Sequence, residues 1–222
     1  MIAEAAALSR VVAGLDCTEL SRASPCPPWT VGALICHVLI AADRIAQALA
    51  EPQDTAAELV STAAYYRRDE RFSAATNADR IETAQSLADR LVPAGPRALA
   101  AELDRRCAAS AELLMAAPAD RAVRTRHGDR MLLTDFARTR VVEFGVHGLD
   151  AAIGLNREPW LTDEAAAILA ELLLPAGLTA QVRAALGCDR TGLIARLTGR
   201  IALSPAEAEQ LTNLGVARLA LG

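Results

Sequence analysis

Apolar positions recur every three to four residues along most of this 222-residue chain, the spacing that lines one face of an α-helix. Residues 2–16 make an Ala-, Leu- and Val-rich amphipathic stretch, followed by a proline-containing loop at 18–29. Thr30 is placed to cap a helix over 31–51 that carries His37, Ile40, Ala41 and Arg44 down one side. Beyond Pro52, Asp54 is placed to cap a stretch reaching about Arg71, and the pattern continues over 78–92 and 96–116, with Pro96 suited to a first turn. The period changes once. At 122–133 polar and apolar residues alternate around His127-Gly128-Asp129, which predicts a hairpin or extended connector. Thr134 then opens a helix over 135–153 that stops near Gly154. Thr162-Asp163-Glu164 reads as a cap with first-turn acids, and Ser204-Pro205-Ala206-Glu207 is a capping box that predicts a helix over 205–214.

Composition supports the helical reading. Half of the residues are apolar, enough for a sizeable core, and aromatics are scarce while Ala and Leu abound. All 23 basic residues are arginine, and the net charge of −4 comes without a basic stripe interleaved with aromatics, so nucleic acid is not expected as a partner. The first ten residues carry an acid where a secretion signal would be basic, and no uninterrupted apolar run reaches the roughly 18 residues of a membrane span, so a cytoplasmic protein without a membrane partner is expected. Five cysteines, at 17, 26, 36, 107 and 188, include no C-x-x-C pair and indicate neither a disulfide framework nor a thiolate zinc site.

The candidate chemistry lies in Val141-Val-Glu143-Phe-Gly-Val-His147-Gly-Leu-Asp150. A Glu and a His four apart share one helical face, and their apolar neighbours turn that face inward, where a carboxylate is costly without a partner or a cation. His37 also sits in an apolar run, so two His and one Glu from two helices give the ligand count of an open metal site. Spacing alone leaves the ordinary alternative open, a hydrogen-bonded core histidine and a helix contact. His127, beside Gly128 in the polar connector, reads as a solvated turn residue. Asp150 shares the face of His147, either orienting a ligand or standing as an exposed acid. Arg140 is either an ion-pair partner or a group reaching an anionic substrate. Cys36 would point roughly 100° away from His37 and reads as packing.

Two segments carry a resemblance. Ser24-Pro-Cys26-Pro-Pro-Trp29-Thr-Val-Gly-Ala-Leu-Ile-Cys36-His37-Val38 is similar to the loop and first ligand helix of mycothiol-dependent maleylpyruvate isomerase-like proteins, within the DinB-like metalloenzyme superfamily. About a hundred residues later, Arg140-Val-Val-Glu143-Phe-Gly-Val-His147-Gly-Leu-Asp150 resembles the block that completes the site in that family. The resemblance implies a DinB-like four-helix bundle over 1–160, with a short helical C-terminal extension over 161–222 packed on it. It implies His37, Glu143 and His147 as ligands of a divalent metal, zinc in most relatives, and leaves Arg140 and Asp150 as candidates to stand behind them. The extension is too short and too helical for the larger α/β domain of the maleylpyruvate isomerases, although Leu197-Thr-Gly-Arg200 also recurs in similar proteins.

By the same resemblance the expected activity is that of a mycothiol S-transferase or thiol-dependent isomerase, in which a metal-held thiolate attacks an electrophilic small molecule. One alternative is a hydrolase, isomerase or lyase of the same fold that uses the metal without a thiol, within a biosynthetic pathway. The other is a non-catalytic metal-binding bundle, disfavoured by the lack of an H-x-x-x-C-x-x-C pattern. The chain is expected to act as a monomer or homodimer.

Overall fold

The computed structural model describes residues 1–52, 57–67 and 73–219. Among them the chain forms eleven α-helices and one short hairpin, an all-α, DinB-like helical fold. Helix α1 (Ile2–Ala13) packs along α6 (Pro96–Ala116), while α3 (Val31–Ala50) lies against α5 (Ala74–Leu91), α6 and α7 (Leu133–Leu155).

Helix α3 forms because Thr30 accepts the Ala33 backbone N–H at its start and because apolar residues surround nearly its whole circumference. Its length and composition would suit a membrane span, but it includes Asp43 and Arg44, and Leu34, Ile35, Leu39 and Ile45 are buried in the bundle. Each such side chain contributes about 1.5–3 kcal/mol on leaving water. Leu8 and Val12 of α1, Leu99 and Leu103 of α6 and Phe144 of α7 complete this core. Arg106 of α6 pairs with Asp43 of α3, tying the two helices at the surface.

A second apolar cluster joins Ile45 and Leu149 to the C-terminal helices α8 (Asp163–Leu173), α9 (Thr179–Leu186), α10 (Arg190–Leu197) and α11 (Pro205–Asn213). Leu169 of α8 seats on Gly145 of α7, where an added Cβ would lie 3.0 Å from the leucine and 2.9 Å from Leu161. The C-terminal helices therefore share a packed interface with α7. Ser204 and Glu207 form the reciprocal capping box that starts α11.

Several boundaries differ from the sequence expectation. The first stretch ends at Ala13, and a capping box between Asp16 and Glu19 starts a separate short helix, α2 (Cys17–Leu20). Helix α4 is only Thr62–Tyr66, capped by Ser61, while the expected cap Asp54 and the end at Arg71 fall outside the described residues. Ser73 accepts the Thr76 N–H and starts α5 earlier than 78. Helix α7 starts at Leu133 without a side-chain cap, so Thr134 lies inside its first turn. It also does not stop at Gly154. It runs to Leu155 and ends at Asn156 in the left-handed conformation (φ 54°). Gly154 is small because Val31 and the Ala23 carbonyl crowd it, at 3.0 and 3.1 Å from where a Cβ would be. The segment at 122–133 is a hairpin, β1 (Ala122–Arg124) pairing antiparallel with β2 (Arg130–Leu132).

Candidate functional site

Helices α3 and α7 pack face to face, and the pairing sets His37 opposite Glu143. The Nε2 of His37 lies 3.3 Å from Glu143 Oε2, and the Nε2 of His147, one turn further along α7, lies 3.6 Å from the same oxygen. Donor atoms of all three residues fall within 4.8 Å of one another. Two ligand atoms each about 2.1 Å from a tetrahedral ion are themselves about 3.4 Å apart. The observed separations match that spacing, and two imidazoles with one carboxylate are a donor set that zinc accepts. The residues present therefore fit a divalent cation.

Trp29, at the end of the proline-containing loop, stacks on the His37 ring with centroids 4.7 Å apart and planes 27° from parallel. The two histidine rings meet edge to face at 5.0 Å. His37 is thus held between an indole and a second imidazole. Behind His147, Asp150 Oδ2 accepts the ring Nδ1–H at 2.9 Å, fixing the tautomer that turns Nε2 toward Glu143. Arg200, from the segment after α10, donates to both Asp150 oxygens at 2.9 and 3.0 Å. The Cys26 thiol donates to Asp150 Oδ2 at 3.3 Å.

Electrostatics follow from this arrangement. Burial opposes ionisation of Glu143, but the contacts with His147 and His37 and the charge of Arg140 outweigh it and hold the carboxyl well below its usual range. Burial likewise opposes a charged His147, yet Asp150, Cys26 and Glu143 together push the imidazole well above its ordinary value. His37 moves the other way, lowered mainly by burial. Against burial, His147 and Arg200 hold Asp150 at about 2. Without a cation, a protonated His147 bridges two carboxylates; a metal ion at Nε2 would take the place of one proton.

The site faces two cavities. The larger, of about 630 Å³, is lined by Cys26, Trp29, His147 and Arg200 together with apolar residues such as Ile81 and Ile153. The smaller, of about 330 Å³, is walled by α3, α5, α7 and the hairpin. His37, Glu143, Tyr65 and Arg80 line both, so the carboxylate–imidazole cluster stands in the partition between them.

The structure brings His37, Glu143, His147 and Asp150 together and leaves Arg140 without a direct bond to Glu143. Arg140 is buried, lies 4.8 Å over the Phe136 ring and donates to Thr139 Oγ1. His127 is half-buried and forms part of the wall of the smaller cavity, a different setting from a solvated turn. Cys36 is fully buried, and burial pushes its thiol up to about 12, in keeping with a packing role. Sequence reasoning singled out Leu197-Thr-Gly-Arg200 but assigned Arg200 no contact. Its distance of fifty residues from Asp150 left no periodic signal to follow.

Comparison with known proteins finds a family match. The family model described as the mycothiol maleylpyruvate isomerase N-terminal domain aligns with residues 2–152, which include every residue of the cluster except Arg200. No curated protein and no solved structure matches the chain.

Proposed function

Because the chain belongs to the mycothiol maleylpyruvate isomerase N-terminal domain family, we propose that it is a metal-dependent thiol S-transferase or thiol-dependent isomerase acting on a small electrophilic molecule. The observation that carries this reading is the meeting of His37, Glu143 and His147 donor atoms within 4.8 Å, at the wall of a cavity large enough for a thiol cosubstrate. Mycothiol is the cosubstrate that the family description indicates.

When bound, a divalent ion, zinc in this proposal, would stabilise a thiolate and so supply a nucleophile near neutral pH. The protein's own groups do the rest. Asp150 and Arg200 fix the orientation of His147, Trp29 covers one face of the His37 ring, and the apolar lining of the larger cavity keeps the nucleophile poorly solvated. In this reading residues 1–160 form the metal-binding bundle, and 161–222 close the site by supplying Arg200. We place the protein in the cytoplasm, with neither nucleic acid nor membrane as a partner.

The test is cobalt substitution followed by addition of mycothiol. A sulfur-to-metal charge-transfer band, lost in His147→Ala together with thiol consumption in the presence of electrophiles, supports the proposal. Full cobalt occupancy with no spectral response to any thiol overturns it in favour of metal chemistry without a thiol.

A further inference from the structure

The smaller cavity carries a charge pattern that the metal cluster does not need. Five guanidinium groups line it: Arg44 from α3, Arg80 from α5, Arg124 and Arg126 from the hairpin and Arg140 from α7. Among the described residues two carboxylates share the lining, Glu51 and Glu143, and Glu143 belongs to the cluster with His37 and His147. Among the described residues Arg126 pairs with Asp79, whereas Arg44 donates to the neutral Gln47 and Arg80 to the neutral Asn77.

Arg140 is the most constrained of the five. It is buried, its Nε and Nη2 both donate to the single hydroxyl oxygen of Thr139, and against burial its charge is favoured by Tyr65 and by the nearby Glu143 carboxylate. Glu143 is also the carboxylate of the His37–His147 cluster and offsets at most one of the five guanidinium charges, and crowding the others together is costly unless a further anion compensates them. Crowding of like charge is felt directly at Arg44, whose ionisation is disfavoured first by burial and then by Arg126 and Arg140. Arg offers a planar fork of donors suited to carboxylate or phosphate oxygens.

We propose that this arginine-lined cavity is a subsite for a compact dianionic oxyanion, a phosphoryl group or a pair of carboxylates. It is separate from the cavity that takes the thiol. The lining charge, plus five from arginine and minus two from glutamate, is reduced to plus two by the Arg126–Asp79 pair and so matches a doubly charged ligand better than a single carboxylate. Its volume of about 330 Å³ suits a small molecule rather than a polymer. Resting on the thiol-transfer reading, the inference further identifies the ligand as the electrophilic cosubstrate. It approaches the partition from the side opposite the thiol, and both are bound at once.

The direct test is calorimetric titration of the purified protein, before and after chelator treatment, with inorganic phosphate, malonate and the monoanion acetate at matched ionic strength. Phosphate or malonate should bind one per chain, with acetate at least tenfold weaker. Arg44→Gln and Arg124→Gln should each weaken the dianion about tenfold or more, while Arg105→Gln on the outer face of α6 should leave it unchanged. Preference for phosphate identifies a phosphoryl ligand and preference for malonate a dicarboxylate. Equal binding of acetate, or dianion binding indifferent to Arg44 and Arg124, overturns the subsite. No thiol takes part in the titration, so a cobalt site silent to thiols with dianion binding intact overturns the thiol reading alone.

Discussion

Arg200 grips Asp150 through two parallel hydrogen bonds of 2.9 and 3.0 Å, and through Asp150 it governs the ring of His147. The pair is almost wholly buried, with side-chain exposures of 10 and 3%. Arg200 comes from the part of the chain beyond the family match, so residues after 160 are joined to the His37–Glu143–His147 cluster by a charge-assisted bond as well as by apolar packing. Groups that orient a ligand histidine typically change metal affinity by about 10–100-fold when removed. Arg200→Gln is therefore expected to weaken zinc binding within that range, measured against a competing chelator, while helical content is kept. Unchanged affinity would make the contact purely structural.

Glu143→Gln separates metal binding from folding. The amide keeps the volume and removes the charge, so the variant should retain its far-ultraviolet spectrum and lose most of its zinc. Metal bound at a thousandfold excess over its dissociation constant adds about 4 kcal/mol of stability. Chelation should accordingly lower the melting temperature of the wild type by several degrees and leave Glu143→Gln almost unmoved. A chelator without effect on the wild type would show that the cluster is an ordinary buried network.

The raised pKa of His147 gives a pH dependence with a definite sign. A histidine whose folded value lies above its unfolded value of about 6.5 contributes stability that is full below that value and is lost as pH rises through the folded one. Metal-free protein should thus lose stability as pH rises above about 6.5, because deprotonation leaves Glu143 and Asp150 facing each other across a neutral ring. Metal-loaded protein should not, since its ion replaces that proton. Melting curves between pH 6 and 9 (about the range in question), with and without zinc, check both halves. Parallel curves would refute the assignment.

Gly154→Ala tests how helix α7 is seated. A methyl group there would lie 3.0 Å from Val31 Cγ2 and 3.1 Å from the Ala23 carbonyl, and neither belongs to a flexible side-chain end that can swing away. Overpacking of this kind costs about 1–3 kcal/mol. The melting temperature should fall by several degrees, and the loop bearing Cys26 and Trp29 should shift, seen as a change in tryptophan fluorescence. Stability equal to the wild type would mean that the loop gives way freely.

Much of the local structure was legible in the chain because it depends on neighbours. The caps at Thr30, Thr162 and Ser204, the helical period and the hairpin around Gly128 are short-range effects, and the structure forms each of them. The pairing of Glu143 and His147 on one face likewise follows from a four-residue spacing. Other features were not legible for an equally physical reason. Gly154 looked like a stop signal because glycine ends helices often, yet its use here is a close approach by residues far away in sequence. The meeting of His37 with Glu143 was legible through the family resemblance and not through spacing, while the clamp from Arg200 and the gathering of arginines from three helices and a hairpin around one cavity depend on how elements pack. Local periodicity carries no information about that packing. The sequence by itself determined which side chains are available and which helical face presents them; only the tertiary structure decided which meet, because burial of apolar faces fixes helix contacts collectively and brings the polar groups along.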